Sequence, residues 1–147
     1  MNLRDWVASG WLVEHQTSPQ EISDLLGVAD RDLGDCRAPG LSPDWRLAIA
    51  YNAALQLATA ALAAAGYRAE REAHHYWVIQ SLAHTLGADA KTVDALDGFR
   101  KKRNIGGYER AGAISDKEAE EAIALARRLR GEVHAWLRAN HPRLAPR

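Results

Sequence analysis

The sequence predicts an all-α protein, an up-and-down antiparallel helical bundle with an N-terminal helical extension. Three observations predict it. No stretch alternates polar and apolar residues over a strand's length. Three serines open segments with helix-start chemistry: Ser18-Pro19-Gln20-Glu21, Ser42-Pro43-Asp44 and Ser115-Asp116-Lys117-Glu118. Each puts a capping hydroxyl at the boundary, followed by proline at the first helical position or glutamate three residues on. Apolar residues then recur every three or four positions over long runs.

The elements follow in order. A short helix is predicted near residues 3–13, then helices near 19–35, 43–65, 69–86, 90–103 and 116–139. Ala38-Pro39-Gly40 breaks the chain early, and Gly66, Gly87 and the Gly106-Gly107 pair punctuate it later. Links this short favour antiparallel neighbours. In the third helix Tyr51, Leu55, Ala58, Leu62 and Ala65 form one seam, and Leu47, Ala50, Ala54, Leu57 and Ala61 form a second. Two seams predict the most buried helix of the bundle, with alanines that let neighbours approach closely. The last helix turns Ala119, Ile123, Ala126, Leu129, Val133 and Trp136 inward. Its acids come early and its arginines late, complementing the helix dipole. Residues 1–40 are read as N-terminal helices packing on a bundle of residues 41–141, with 142–147 a frayed tail, all in one structural domain.

Composition narrows the function. The chain has 147 residues, with 19 Lys plus Arg against 19 Asp plus Glu, so no global field draws it to nucleic acid and any such binding needs a local patch. The single cysteine, Cys36, allows neither an intramolecular disulfide nor a Cys-based zinc cage. The start, Met1-Asn2-Leu3-Arg4-Asp5-Trp6, lacks the basic and apolar regions of a signal peptide, and a cytoplasmic location is expected. Residues between Arg46 and Arg68 carry no formal charge over a length that could span a bilayer. Alanine dominates there, and Asn52, Gln56 and Thr59 interrupt at helical spacing, so a buried central helix is the reading and no membrane partner is expected.

The densest functional signal is Arg100-Lys101-Lys102-Arg103-Asn104, followed by Gly106-Gly107-Tyr108. Four adjacent cations repel one another and suit an anionic partner such as phosphate; the plain alternative is a solvated charge run at a helix C-terminus. His74 and His75 are neighbours about 100° apart on a helix, which excludes chelation of one metal in the usual i, i+4 manner. His75 falls in line with Ile79, Leu82 and Leu86 and reads as a hydrogen-bonded core histidine. His74 and His84 share the opposite face with Trp77, which points either to a subunit contact or stacking surface, or to a tryptophan covered by its neighbours. No His-x3-His, His-Glu-x2-His, phosphate-loop or nucleophile-elbow motif occurs, and neither a metal nor a cofactor is expected. Glu21 to Val28 resembles the first helix and turn of a helix-turn-helix, but the would-be recognition segment Asp30-Arg31-Asp32-Leu33-Gly34-Asp35 is acidic. Acids repel phosphate, and one helix running from Ser18 past Gly27 is the reading.

Three features together are similar to the HEPN superfamily of small helical bundles: Tyr51-Asn52 in an alanine-rich helix, His74-His75 opening the next, and Arg103-Asn104 before the last long helix. The resemblance covers about Ser42 to His141. That family's motif is an arginine, usually followed by a polar residue, then a histidine after four to six intervening residues. It serves metal-free RNA cleavage across a dimer interface. Here Arg103 and Asn104 match its start, and Tyr108 stands at the four-residue spacing where the histidine would be. A tyrosine, with a pKa near ~10, is a neutral hydrogen-bonder at neutral pH.

The resemblance therefore implies a homodimeric module that binds nucleotide or RNA and is not an efficient nuclease, in an accessory, toxin–antitoxin or defence setting. Arg103 would grip phosphate, Asn104 orient it and Tyr108 stack or donate a hydrogen bond, with Arg100, Lys101 and Lys102 supplying local field. Tyr51, Asn52, His74 and His75 would support the site. A metal-independent endoribonuclease using Arg103 with Tyr108 or a histidine is the first alternative. The second is a protein-interaction module or antitoxin whose partner comes from a neighbouring gene.

Overall fold

The computed structural model describes residues 1–108 and 113–146, and of 104–108 the backbone alone. The elements run α1 (Leu3–Ala8), β1 (Leu12–Glu14), α2 (Pro19–Asp35), α3 (Pro43–Ala64), β2 (Tyr67–Ala69), α4 (His74–Gln80), α5 (Leu82–Thr85), α6 (Ala90–Tyr108) and α7 (Asp116–Asn140). The protein is an all-α helical bundle carrying one small two-stranded sheet.

The three serine caps sit where the sequence puts them. Ser18, Ser42 and Ser115 each accept the backbone N–H three residues on, and Ser115 and Glu118 complete a reciprocal capping box. α3 is the centre, with α2, α4, α6 and α7 packed around it. Both predicted seams of α3 are buried except Ala65, which is the C-cap. α3 is long and apolar enough to cross a membrane, yet 72% of its most apolar stretch is buried inside the molecule. α2 runs unbroken through Gly27, so residues 21–37 form no helix-turn-helix.

Three boundaries differ from the sequence expectation, each for a local reason. The helix expected over 3–13 stops at Ala8: Ser9 caps it and Gly10 turns the chain at φ +81°. Residues 12–14 then pair antiparallel with 67–69, in the register Leu12↔Ala69, Val13↔Arg68 and Glu14↔Tyr67. Three residues are too few for alternation to be legible, so both strands were hidden. The helix expected over 69–86 starts only at His74 and breaks at Ser81 into α4 and α5. Gly66 at φ +101° feeds residues 67–69 into the ladder, and the chain enters α4 through Ala73 in the left-handed region at φ 54°. Long-range pairing thus overrides the helix propensity of Ala69-Glu70-Arg71-Glu72. The break expected at Gly106-Gly107 does not occur, because α6 continues to Tyr108. Glycine inside a helix costs only about 1 kcal/mol relative to alanine and does not forbid it.

The N-terminal segment is held by aromatic side chains. Trp11 stacks on Trp77 with ring centroids 4.0 Å apart and planes within 10°. Trp6 meets Trp77 edge-on at 5.2 Å and His84 at 4.8 Å. Trp77, on the face it shares with His74 and His84, is therefore covered by Trp6 of α1 and by Trp11 before β1, the second of the two readings of that tryptophan.

Candidate functional site

The basic run lies in the body of α6 rather than at a helix C-terminus, because the helix extends past it. The four cations are not equivalent. Arg100 Nε donates to Asp97 Oδ1 at 2.7 Å, and Lys101 Nζ lies 3.5 Å from the other oxygen of the same carboxylate. Lys102 pairs with Glu118 of α7. These partners relieve the mutual repulsion that the sequence suggests, one turn back along α6 and across to α7. Arg103 differs. Its guanidinium carbon lies 5.5 Å from the centroid of the Tyr51 ring, and among the described residues it forms no ion pair.

Tyr51 connects the arginine to the histidines. It is 1% exposed, near the middle of α3, and its hydroxyl lies 3.2 Å from Nδ1 of His75, a hydrogen bond whose direction follows the imidazole tautomer. His74 packs its ring edge-on against His75 at 5.7 Å. Next along α4, Tyr76 receives Arg100 over its ring at 5.8 Å. The site therefore joins three helices: α3 supplies the buried phenol, α4 the imidazoles and α6 the guanidiniums.

Its electrostatics follow from burial and charge. Burial pushes the Tyr51 phenol up to about 12, although Arg103 and Arg100 act to lower it. Burial also lowers the His75 pKa, and His74, Arg103 and Arg100 add to that in the same direction. At neutral pH the pair is thus a neutral phenol against a neutral imidazole, and the local positive charge resides on the guanidiniums. A neutral imidazole beside arginines can accept a proton or a hydrogen bond from a ligand that the arginines hold.

Asn52, adjacent to Tyr51 in sequence, is directed elsewhere. Its amide donates to Asp32 Oδ2 of α2 at 2.7 Å, so it ties α3 to α2. Lys101 is two-thirds exposed. The side chains of Asn104 and Tyr108 lie outside the described residues. Helical spacing alone puts His75 on the core face with Ile79, Leu82 and Leu86. Its place beside Arg103's own neighbour depends on the packing of α4 against α6 across α3, which no local spacing encodes.

The pH dependence of stability follows from two histidines. Burial lowers the pKa of His134, with Arg130 acting the same way and Asp30 opposing. A histidine whose folded pKa lies below its unfolded value of about 6.5 binds fewer protons when folded. Its contribution is complete above that value and is lost as pH falls from it through the folded pKa. Stability should therefore drop as pH falls below ~6.5, and His75→Gln with His134→Gln should flatten the drop in thermal-unfolding midpoints. Glu21 and Glu118, lowered from 4.5, act in a more acidic window, where their contribution is lost as pH falls further.

No protein-family model matches the sequence, and no curated protein matches it.

Proposed function

We propose that this chain is a HEPN-like module that binds RNA or a nucleotide through Arg103, as a homodimer in the cytoplasm, without cutting RNA efficiently. One observation carries the reading. Arg100, Lys101 and Lys102 have carboxylate partners, while Arg103 rests on the Tyr51 ring and forms no ion pair with any described residue. Stacking on an aromatic face orients a guanidinium yet leaves its N–H fork for a phosphate. The Tyr51–His75 couple beneath it offers neutral hydrogen-bonding groups and adds no charge that would compete. Asn104 and Tyr108 follow on the same helix and complete the proposed ligand set. An accessory role in a toxin–antitoxin or defence setting is part of the same resemblance.

A second reading, metal-independent RNA cleavage, is favoured by one observation: His75 is kept neutral close to two arginines. Such an imidazole can take the 2′-hydroxyl proton as that oxygen attacks phosphorus. The 5′ oxygen then leaves and needs a proton from a second group.

One experiment separates the two. Purified protein is incubated with a mixed RNA pool in EDTA, and binding of RNA and of ATP is measured alongside. The expected result is binding without cleavage, weakened ~10- to 100-fold in Arg103→Ala, the loss of a charge-assisted contact. Unchanged binding in a folded Arg103→Ala protein removes the proposed site. Cleavage by wild type that disappears in Arg103→Ala and in His75→Gln establishes the nuclease instead.

A further inference from the structure

A partly enclosed cavity of about 220 Å3 lies where α2, α3, β2 and α4 meet. Its wall is apolar, formed by Leu25, Leu62, Ala63, Ala69 and Val78. All but Leu25 are buried. Protein interiors leave few voids larger than a water molecule, and an apolar cavity of about 150 Å3 is enough to hold benzene. This space fits one six-membered ring with a small substituent.

His15, Glu21, Thr59, Tyr67, Arg68 and His74 add polar groups to the lining. Glu21 Oε1 accepts from Thr17 Oγ1 at 2.6 Å and pairs with His15 Nε2 at 2.7 Å. In the tautomer that donates Nε2–H to this carboxylate, the neutral His15 ring presents Nδ1 as its remaining polar atom, and that atom is an acceptor. His15 is about one-quarter exposed and Glu21 two-fifths, so this end of the cavity opens towards water. An apolar chamber with a few oriented polar groups at its rim is the usual construction of a small-molecule site. The lining carries both the Glu21 carboxylate and the Arg68 guanidinium, so charge does not set the head group; the imidazole acceptor selects for a donor.

We propose that the cavity binds a small monocyclic aromatic molecule with one hydrogen-bond-donating head, of the phenol type. The ring lies against Leu62, Ala63 and Val78, and the hydroxyl donates to His15 Nδ1. His74, which packs on His75 near Arg103, also borders this cavity, but the proposal does not rest on the function proposed for the Arg103 site.

The test uses the full-length 15N-labelled protein at mildly alkaline pH, titrated with phenol and with anisole. Phenol should give saturable millimolar shifts at the amides of Ala63, Ala69 and Val78. Anisole, which lacks the donor, should bind about tenfold more weakly. His15→Phe should reduce phenol to the level of anisole. Ala63→Leu should fill the chamber and abolish binding of both; because that change can disturb packing, the rim variant His15→Phe carries the test on its own. Absence of saturable shifts at the cavity amides, shifts confined to other surfaces, or equal binding of phenol and anisole with His15→Phe silent would each overturn the proposal.

Discussion

Replacing Trp6 with alanine is expected to lower stability by about 3–5 kcal/mol, the range for truncating a buried tryptophan. Trp6 is 7% exposed and joins the Trp11, Trp77 and His84 rings. Besides the rings, Leu12 is the deeply buried anchor of the N-terminal segment, at 1% exposed. α1 spans six residues, far below the length at which a helix persists in water. The β1–β2 ladder has three residues per strand, and an isolated two-stranded ribbon is marginal. The aromatic cluster therefore carries most of the attachment, with edge-to-face pairs adding to the area buried. Denaturant unfolding measures the total. Hydrogen exchange locates it: the amides of His15 and Glu70, bonded to Gly66 and Trp11 across the ladder, should lose protection before those of α3 and α7. Trp45→Ala is the control. Trp45 is 64% exposed at the start of α3, and its loss should stay within about 0.5 kcal/mol. A Trp6→Ala protein as stable as the Trp45→Ala protein would mean that the segment is held by something other than the rings.

The same cluster explains how far the sequence could be read. Caps are local chemistry, so Ser18, Ser42 and Ser115 marked the starts of α2, α3 and α7 directly. Seams are periodic over many turns, so the burial of α3 and the inner face of α7 were legible as well. What stayed hidden depends on partners distant in sequence. β1 exists because β2 lies beside it, and Trp77 is covered because Trp11 folds onto it. The site shows the same division. The basic run stands out in the sequence, and Asp97 stands at helical spacing from two of its cations, but the partner of Lys102 becomes visible only in three dimensions. Asp97 lies one turn back on the same helix, and Glu118 belongs to the next one. Tyr51 and Asn52 stood out as an adjacent pair, yet neighbours on a helix point about 100° apart. One turns to His75, below Arg103, and the other to Asp32.

That divergence leads to a prediction separating architecture from function. Asp32 is 6% exposed, and its carboxylate is satisfied by the Asn52 amide at 2.7 Å and by Arg31 at 3.1 Å. Arg31 is 64% exposed, so its share of the pairing is screened by solvent. Asn52 is the partner on the buried side. Asn52→Ala leaves a largely buried carboxylate oxygen without its donor, which should cost about 1–3 kcal/mol. Replacing both partners with apolar residues avoids that penalty, because no buried carboxylate then remains; Arg31 is exposed and Gln56, which donates to Asn52 Oδ1 over a long 3.4 Å, is only part-buried. Asp32→Leu with Asn52→Leu should therefore recover most of the stability lost in Asn52→Ala, as read by denaturant unfolding. A double variant that is less stable than Asn52→Ala would show that the pair contributes more than satisfying one buried oxygen. Binding is the complementary readout. Asn52 sits beside Tyr51 in the chain but spends its amide on α2, so folded Asn52→Ala protein should bind RNA or nucleotide as wild type does, whereas Arg103→Ala should not. A binding defect in Asn52→Ala as large as that of Arg103→Ala would return Asn52 to the ligand site and require α3 to present both residues to the same partner.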